Sequence, residues 1–291
     1  MRLNEVVAAL DAYFRVPDVS GDDWAPTFAL LYPDPYWRAF AEAVYEGRWN
    51  GLLVRGAETV ERAVACVFPS DAIVASLPPG TLLFSEHAIA FEDDEAGFAP
   101  LARSTFERLR EEGCSFYHAH APLDMHPDVS PSRLVAEGLR LTGLEEYFPI
   151  ARGIPGGAAI VGESDASLDE LAVRLGAFLG PEIPVEVLSR FREEAGRVAV
   201  VAGGGADRAI LEASLDRGCE TYVTGNAATR CRLPFVREGV RAFRALADEA
   251  GVAVVDGTHY GLEKPPQLAM VAWFRSLGLA AEFAPGRPER S

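Results

Sequence analysis

Three of the chain's five histidines stand within ten residues that also contain a carboxylate. Residues 117–126 read YHAHAPLDMH, in which His118, His120 and His126 accompany Asp124. Imidazole nitrogen and carboxylate oxygen together suit zinc, iron, manganese or cobalt, whereas calcium and magnesium favour oxygen ligands alone. The stretch therefore admits three interpretations: a transition-metal site, an acid–base cluster, or a polar surface loop.

Two further segments repeat the pairing of a histidine with a carboxylate. Glu86 and His87 follow the apolar run LLF, and Asp256, His259 and Glu263 follow the apolar run VAVV. Because ligands collect beyond the carboxyl ends of strands in parallel α/β sheets, the three segments are expected to converge. Such a set exceeds the needs of one tetrahedral ion and suits two ions that share a bridging carboxylate and activate water.

Each member of this set also has an ordinary structural explanation. A single histidine near a strand end is usually a hydrogen-bonded structural or surface residue, and Glu86 alone would be a solvated carboxylate. His126 precedes a proline in a turn and is expected at the surface, while His118 is expected to be structural. The recurrence at three strand ends is what favours a metal site.

The overall composition excludes several classes of function. The 291 residues are 49% apolar and carry a formal charge of −16, so a direct nucleic-acid partner is not expected. No apolar run is long enough to span a membrane, and the N-terminus lacks the basic start of a secretory signal. The four cysteines are widely separated, which indicates a reducing compartment and a cytoplasmic location.

The hydrophobic pattern alternates between strands and helices and predicts an α/β protein. An amphipathic helix is expected at the N-terminus, and Ser167 with Glu170 forms a predicted capping box. Residues 197–218 read as strand, glycine turn and helix. Further strands are predicted over 51–56, 61–70, 81–87, 114–120, 219–225 and 251–257, and further helices over 98–113, 130–138, 167–179 and 236–250.

The glycine turn, AGGGAD at 202–207, has two interpretations. Glycines between a strand and a helix let backbone amides approach a phosphate, or let the turn pack closely against a neighbour. Arg208 occupies the place of the last glycine in the G-x-G-x-x-G pattern, so close packing is favoured.

The segment 22–49 is dense in tryptophan, tyrosine and phenylalanine. Such clusters usually form a core or a subunit interface, and a substrate lid is the alternative.

Several pieces of the sequence occur in the order found in one family. They are WNGLLVRG, SEHAIAF, YHAHAPLD, YVTGN and VVDGTHYGLE. The chain resembles the Nif-three-like dinuclear metal centre proteins, also called GTP cyclohydrolase type two. The resemblance covers most of the chain in dispersed blocks and is clearest over 197–274.

The resemblance implies a ligand set for two divalent ions (zinc, iron or manganese). The family's metal ligands fall on Glu86, His87, Asp124, His259 and Glu263. In the family pattern His87 and Asp124 hold one ion, His259 and Glu86 hold the other, and Glu263 bridges them. His120 matches a histidine near the metals that could act in acid–base catalysis.

Two departures from the family pattern indicate a divergent member. The family's HHP is replaced by Glu86-His87-Ala88, so a carboxylate stands where one imidazole would be. The family's T-G-E followed by histidines is replaced by Thr224-Gly225-Asn226-Ala227.

The resemblance further implies two similar α/β lobes with mixed sheets flanked by helices. The first lobe would be discontinuous, comprising 1–128 plus 248–291, and the second would span 129–247. A toroidal homohexamer is implied, with a nucleotide or other small molecule as substrate.

Three functions remain open at this point. One is a metal-dependent hydrolase, either GTP cyclohydrolase-like or acting on phosphoesters. Another is a non-catalytic metal-binding scaffold or a protein that handles metals or cofactors. The third is a structural α/β domain that binds a nucleotide through its glycine turn.

Overall fold

The computed structural model describes residues 1–92, 97–228 and 233–286. Its strands and helices alternate along the chain, which confirms the α/β fold class. Cys231 lies outside the described residues.

The strands are β1 (Gly21–Asp22), β2 (Gly51–Val54), β3 (Arg62–Cys66), β4 (Leu82–Ser85), β5 (Ala90–Glu92), β6 (Gly97–Ala99), β7 (Ser115–His118), β8 (Thr142–Tyr147), β9 (Ala151–Arg152), β10 (Ala159–Glu163), β11 (Glu186–Ser189), β12 (Arg197–Val201), β13 (Thr221–Thr224), β14 (Ala253–Asp256) and β15 (Ala280–Phe283). The helices are α1 (Leu3–Tyr13), α2 (Ala25–Leu31), α3 (Asp71–Ser76), α4 (Arg103–Glu111), α5 (Ala121–Asp124), α6 (Pro131–Gly138), α7 (Leu168–Leu179), α8 (Arg208–Leu215), α9 (Pro234–Ala250) and α10 (His259–Ser276).

Most of the described strands lie in two mixed sheets. One sheet has the order β15-β3-β4-β7-β2 and is parallel except at β2. The other has the order β11-β14-β13-β12-β10-β8, with β12, β13 and β14 parallel and the remaining pairs antiparallel. Helices flank both sheets.

Alternation along the central strands distributes their side chains between different cores, because successive residues of a strand point to opposite faces. In β4, Leu83 belongs to the largest hydrophobic cluster, whereas Leu82 and Phe84 pack in the cluster that holds α1 and α10. In β12, Val200 joins the largest cluster and Val201 packs in the cluster that holds α8 and α9. The largest cluster thus joins both sheets into one body.

The capping signal places the start of α7 as expected. Ser167 accepts a hydrogen bond from the backbone amide of Glu170 and completes the predicted capping box of α7. The predicted helix over 98–113 is shorter than expected, because Gly97–Ala99 pairs with β5 in a small hairpin and α4 begins only at Arg103.

The aromatic segment contributes mainly to the core. Phe28, Tyr32, Trp37, Phe40 and Tyr45 are buried in the largest hydrophobic cluster. This placement agrees with the core interpretation of residues 22–49.

The lobe boundaries stay a prediction. The strand Ala253–Asp256, which that prediction groups with the first lobe, pairs with β13 and β11 in the six-stranded sheet. Helix α10 then leaves this strand and packs on β3 and β15 of the five-stranded sheet. A single helix therefore links the two sheets at the point where the sequence carries His259 and Glu263.

None of the described helices combines the length and the apolar composition that crossing a bilayer requires.

Candidate metal centre

The predicted ligand residues lie just after the ends of strands in both sheets. Glu86 and His87 follow β4 directly, and Asp124 ends α5 just after β7, the neighbour of β4. His259 and Glu263 lie in the first turns of α10, directly after β14 of the other sheet. The residues meet where the two sheets approach each other.

Glu263 stands between two histidines. Its Oε2 lies 2.8 Å from Nε2 of His87, and its Oε1 lies 2.9 Å from Nε2 of His259. Burial opposes ionisation of Glu263, but the two imidazoles outweigh it and lower the pKa of the carboxyl group. Each oxygen of this carboxylate therefore has an imidazole nitrogen within hydrogen-bond distance.

His87, His259 and Glu263 form a group that could hold a metal ion. One ligand atom from each lies within 4.8 Å of the others, and all three side chains are buried. Two imidazole nitrogens and a carboxylate oxygen suit a transition metal or zinc. The donor set therefore fits a divalent ion.

His87 is held as a neutral imidazole. Burial lowers its pKa to about 4, despite the nearby carboxylate of Glu263. Its ring stacks on Phe68 with centroids 4.4 Å apart. A neutral imidazole of fixed orientation is the form that binds a metal ion, because the protonated ring has no free lone pair.

Two further largely buried carboxyl groups, Glu86 and Asp124, adjoin this group. Burial, with Glu263 and Asp124 nearby, raises the pKa of Glu86 well above its usual range. Burial also raises the pKa of Asp124 to about 7, although the charge on His120 acts against this change. Oε1 of Glu86 is buried without a hydrogen-bond partner among the described residues. A divalent cation beside them would offset the cost of burying both groups in ionised form.

His120 contacts two carboxylates, one of which the sequence interpretation missed. Its Nδ1 lies 3.3 Å from Oδ2 of Asp22, and its Nε2 lies 3.7 Å from Oδ2 of Asp124. Burial opposes protonation of the ring, but Asp22 outweighs it and raises the pKa of His120 to about 9. His120 is therefore a cation at neutral pH.

Asn50 hydrogen-bonds to both Asp22 and His120 and so fixes their relative positions. Its Nδ2 donates to Oδ2 of Asp22 at 3.0 Å, and its Oδ1 accepts from the backbone amide of His120 at 2.7 Å. Asp22 belongs to β1, which pairs with β9 far along the chain. The partnership of Asp22 with His120 spans 98 residues, and no local spacing in the sequence signals it.

His118 has the structural role expected for it. Its Nδ1 lies 2.9 Å from the hydroxyl of Tyr45. Burial lowers the pKa of His118 to about 3, so the ring is neutral.

The surface placement expected for His126 is wrong. The side chain is buried. Burial is tolerated because both ring nitrogens have partners: Nδ1 accepts from the backbone amides of Asp128 and Val129, and Nε2 donates to the carbonyl of Tyr13. Asp256 is likewise structural, since it accepts from the backbone amides of Ala228 and Thr258.

The glycine turn packs against the side chains of Glu263 and His259. Gly203 has φ of +64°, and a Cβ placed there would lie 1.9 Å from Oε1 of Glu263 and 3.2 Å from Nε2 of His259. A side chain at this position would displace the carboxylate. This geometry supports the close-packing interpretation of AGGGAD.

Trp24 forms an aromatic wall beside the histidines. Its ring centroid lies 5.6 Å from that of His120 and 6.4 Å from that of His87. Trp24, Phe28 and Trp49 line a small cavity of about 10 Å³ that reaches both histidines. This volume has room for roughly one water molecule.

The chain is similar to several known proteins. A model of the family Duf34/NIF3 (NGG1p interacting factor 3) matches residues 39–277. A protein of Archaeoglobus fulgidus named GTP cyclohydrolase 1 type 2 homolog is 28% identical over 241 residues, which cover 80% of this chain and 87% of the relative. A Deinococcus radiodurans protein of the same name is 31% identical over 199 residues, covering 67% of this chain and 68% of the relative.

Solved structures show the same fold. The crystal structure of the protein TTHA1606 from Thermus thermophilus superposes with a TM-score of 0.64 over 97% of each chain, at 24% identity. The family match spans all five predicted ligands and His120. The chain belongs to the Duf34/NIF3 family.

Proposed function

We propose that the protein is a divalent-metal-dependent hydrolase with a dinuclear metal centre. The observation that carries the proposal is the placement of Glu263, whose two carboxylate oxygens each meet a different buried histidine. The names of the relatives, GTP cyclohydrolase 1 type 2 homolog, favour the same class of chemistry.

The proposed ligands divide into two sets that share Glu263. His87 and Asp124 would hold one ion, and His259 and Glu86 would hold the other. The unpartnered Oε1 of Glu86 supports its part in this arrangement, since a buried carboxylate oxygen without a partner among the described residues is costly. Zinc, iron and manganese all accept such mixed nitrogen and oxygen ligands.

A pair of divalent ions at this place would lower the pKa of a water molecule and so supply a nucleophile at neutral pH. His120 would provide the proton for the leaving group, because Asp22 keeps its ring cationic and holds its Nδ1. Asn50 fixes the backbone of His120, so the imidazole presents Nε2 on the side of Asp124.

The substrate is proposed to be a nucleotide or another phosphoester. A cationic His120 beside the centre would attract a phosphate-bearing molecule despite the acidic surface of the chain. Ring opening of a purine nucleotide and cleavage of a phosphoester both need a water nucleophile and a proton donor. We further propose a cytoplasmic homohexamer, in line with the resemblance.

One observation favours a second candidate, a non-catalytic metal-binding scaffold or metal-handling protein. The cavity at the histidines holds only about 10 Å³, and the proposed ligands are buried. A substrate could reach the centre only if Trp24 and its neighbours moved, whereas a binding role needs no such movement.

Metal-loaded protein assayed against a panel of nucleotides and phosphoesters distinguishes the two candidates. We expect wild type to turn over at least one member, and Asp124→Ala and Glu263→Ala to lose at least a hundredfold in rate. Equal rates in all three proteins would refute the hydrolase. Tight metal binding without turnover of any compound would favour the scaffold.

A further inference from the structure

Gln267 extends the row of polar residues on α10 by one turn beyond Glu263. His259, Glu263 and Gln267 are spaced by four, which places them on one face of the helix. Gln267 is fully buried, although glutamine is mostly exposed in folded proteins. Burial of a third polar side chain on this face calls for a partner in the interior.

That partner is Glu86. Nε2 of Gln267 donates to Oε2 of Glu86 at 3.1 Å, across 181 residues of sequence. Oε1 of Glu86 has no partner among the described residues and is as buried as the rest of the side chain. The amide therefore occupies one oxygen of the carboxyl group and leaves the other open to a further partner, with Asp124 beside it.

The position of Glu86 determines what that open oxygen could do. Glu86 immediately precedes His87, whose Nε2 contacts Glu263, so the carboxylate stands at the edge of the metal group. A buried oxygen without a partner at this place needs a cation or a proton. The amide of Gln267, by donating to the other oxygen, holds the carboxyl group of Glu86 in one orientation.

We propose that Gln267 is a positioning residue that orients Glu86 as a one-oxygen metal ligand, and that this pair shifts the centre toward oxygen-preferring ions such as Mn²⁺. Carboxylate oxygen suits Mn²⁺, whereas imidazole suits Zn²⁺. Glu86 and Glu263 together make this side of the centre rich in oxygen. The inference rests on the proposed metal centre and adds a determinant of its metal preference.

The test is calorimetric titration of metal-free, full-length protein with MnCl₂ and with ZnCl₂. We expect Gln267→Met to weaken Mn²⁺ binding tenfold to a hundredfold, the usual effect of removing a group that orients a ligand. Gln267→Asn, whose amide is one methylene too short to reach Glu86, should lose as much. Leu268→Ala, a neighbouring change at an exposed position of α10, should leave Mn²⁺ binding unchanged.

A double-mutant cycle separates the positioning role from a general effect on packing. In the background of Glu86→Ala, Gln267→Met should have no further effect on Mn²⁺ affinity. Glu86→His should raise the affinity for Zn²⁺ relative to Mn²⁺ at least tenfold.

Three results would overturn the inference. One is undiminished Mn²⁺ binding in both Gln267 variants. Another is an equal loss from Gln267→Met with and without Glu86. The third is an unchanged Zn²⁺ to Mn²⁺ affinity ratio in Glu86→His. If wild type bound neither ion, the proposed metal centre itself would fail, and the inference with it.

Discussion

Nε2 of His87 lies 2.8 Å from Oε2 of Glu263, although the two residues are 176 positions apart and follow strands of different sheets. The contact forms because α10 starts at the end of β14 and packs across the other sheet. The proposed centre therefore depends on the docking of the two sheets as well as on the ligands themselves.

Gly203→Ala should damage the proposed metal centre, whereas Gly204→Ala should not. A Cβ at Gly203 would lie 1.9 Å from Oε1 of Glu263 in a backbone conformation that disfavours alanine, while a Cβ at Gly204 would make only ordinary contacts at 3.7 Å. We expect at least a tenfold loss of metal affinity in the first variant and less than a twofold change in the second. Competition with a chelator measures both, and similar affinities would contradict the packing of this turn on Glu263.

Asp22→Asn should lower the pKa of His120 from about 9 toward the ordinary value near 6.5, because the charge of Asp22 is what overcomes burial. NMR titration of the metal-free protein measures this change directly.

The loss of stability in Asp22→Asn, relative to wild type, should also depend on pH. A raised histidine pKa stabilises the fold fully below about pH 6.5 and ceases to do so as pH rises through about 9. The stability difference between wild type and Asp22→Asn should therefore shrink over that range. A difference that stays constant from pH 6 to 9 would show that His120 is not the group concerned.

Trp24→Ala should open the metal centre without unfolding the protein. Trp24 is half-buried and forms one wall of the small cavity beside His87 and His120. We expect a chelator to remove metal at least tenfold faster from this variant. Trp37→Ala is the contrasting change: Trp37 is buried in the core, so its loss should cost about 3–5 kcal/mol of unfolding free energy. Unchanged metal release from Trp24→Ala would argue against an aromatic barrier.

Tyr45→Phe should separate the structural His118 from the proposed catalytic His120. The substitution removes the hydroxyl 2.9 Å from Nδ1 of His118 and leaves that nitrogen without this partner in a buried site. We expect a loss of about 1–3 kcal/mol in the free energy of unfolding and no change in metal content. Reduced metal content at full stability would place His118 in the centre instead.

Much of the fold was accessible from hydrophobic periodicity. The strands that lead to the centre have continuous apolar runs, such as LLF before Glu86 and VAVV before Asp256, and they form as predicted. Strand β8 was missed because Glu145 and Glu146 stand on the exposed edge of the six-stranded sheet, where the apolar signal is absent.

The parts of the site that the sequence did not reveal are those formed by distant contacts. Asp22 reaches His120 across 98 residues, and Gln267 reaches Glu86 across 181. The pairing of a histidine with a carboxylate within one segment singled out His120 with Asp124 and His259 with Glu263, but it carries no information about partners on other elements. The resemblance brought Glu86 into the predicted ligand set, yet its amide partner emerged only from the packing of α10.

The proposed dinuclear centre is tested most directly by anomalous diffraction from crystals of the full-length protein grown with Mn²⁺ or Zn²⁺. The account predicts two anomalous peaks that share Glu263, one beside His87 and Asp124 and the other beside His259 and Glu86. A single peak would contradict the dinuclear assignment. The absence of any peak within coordination distance of Glu263 would contradict the metal centre altogether.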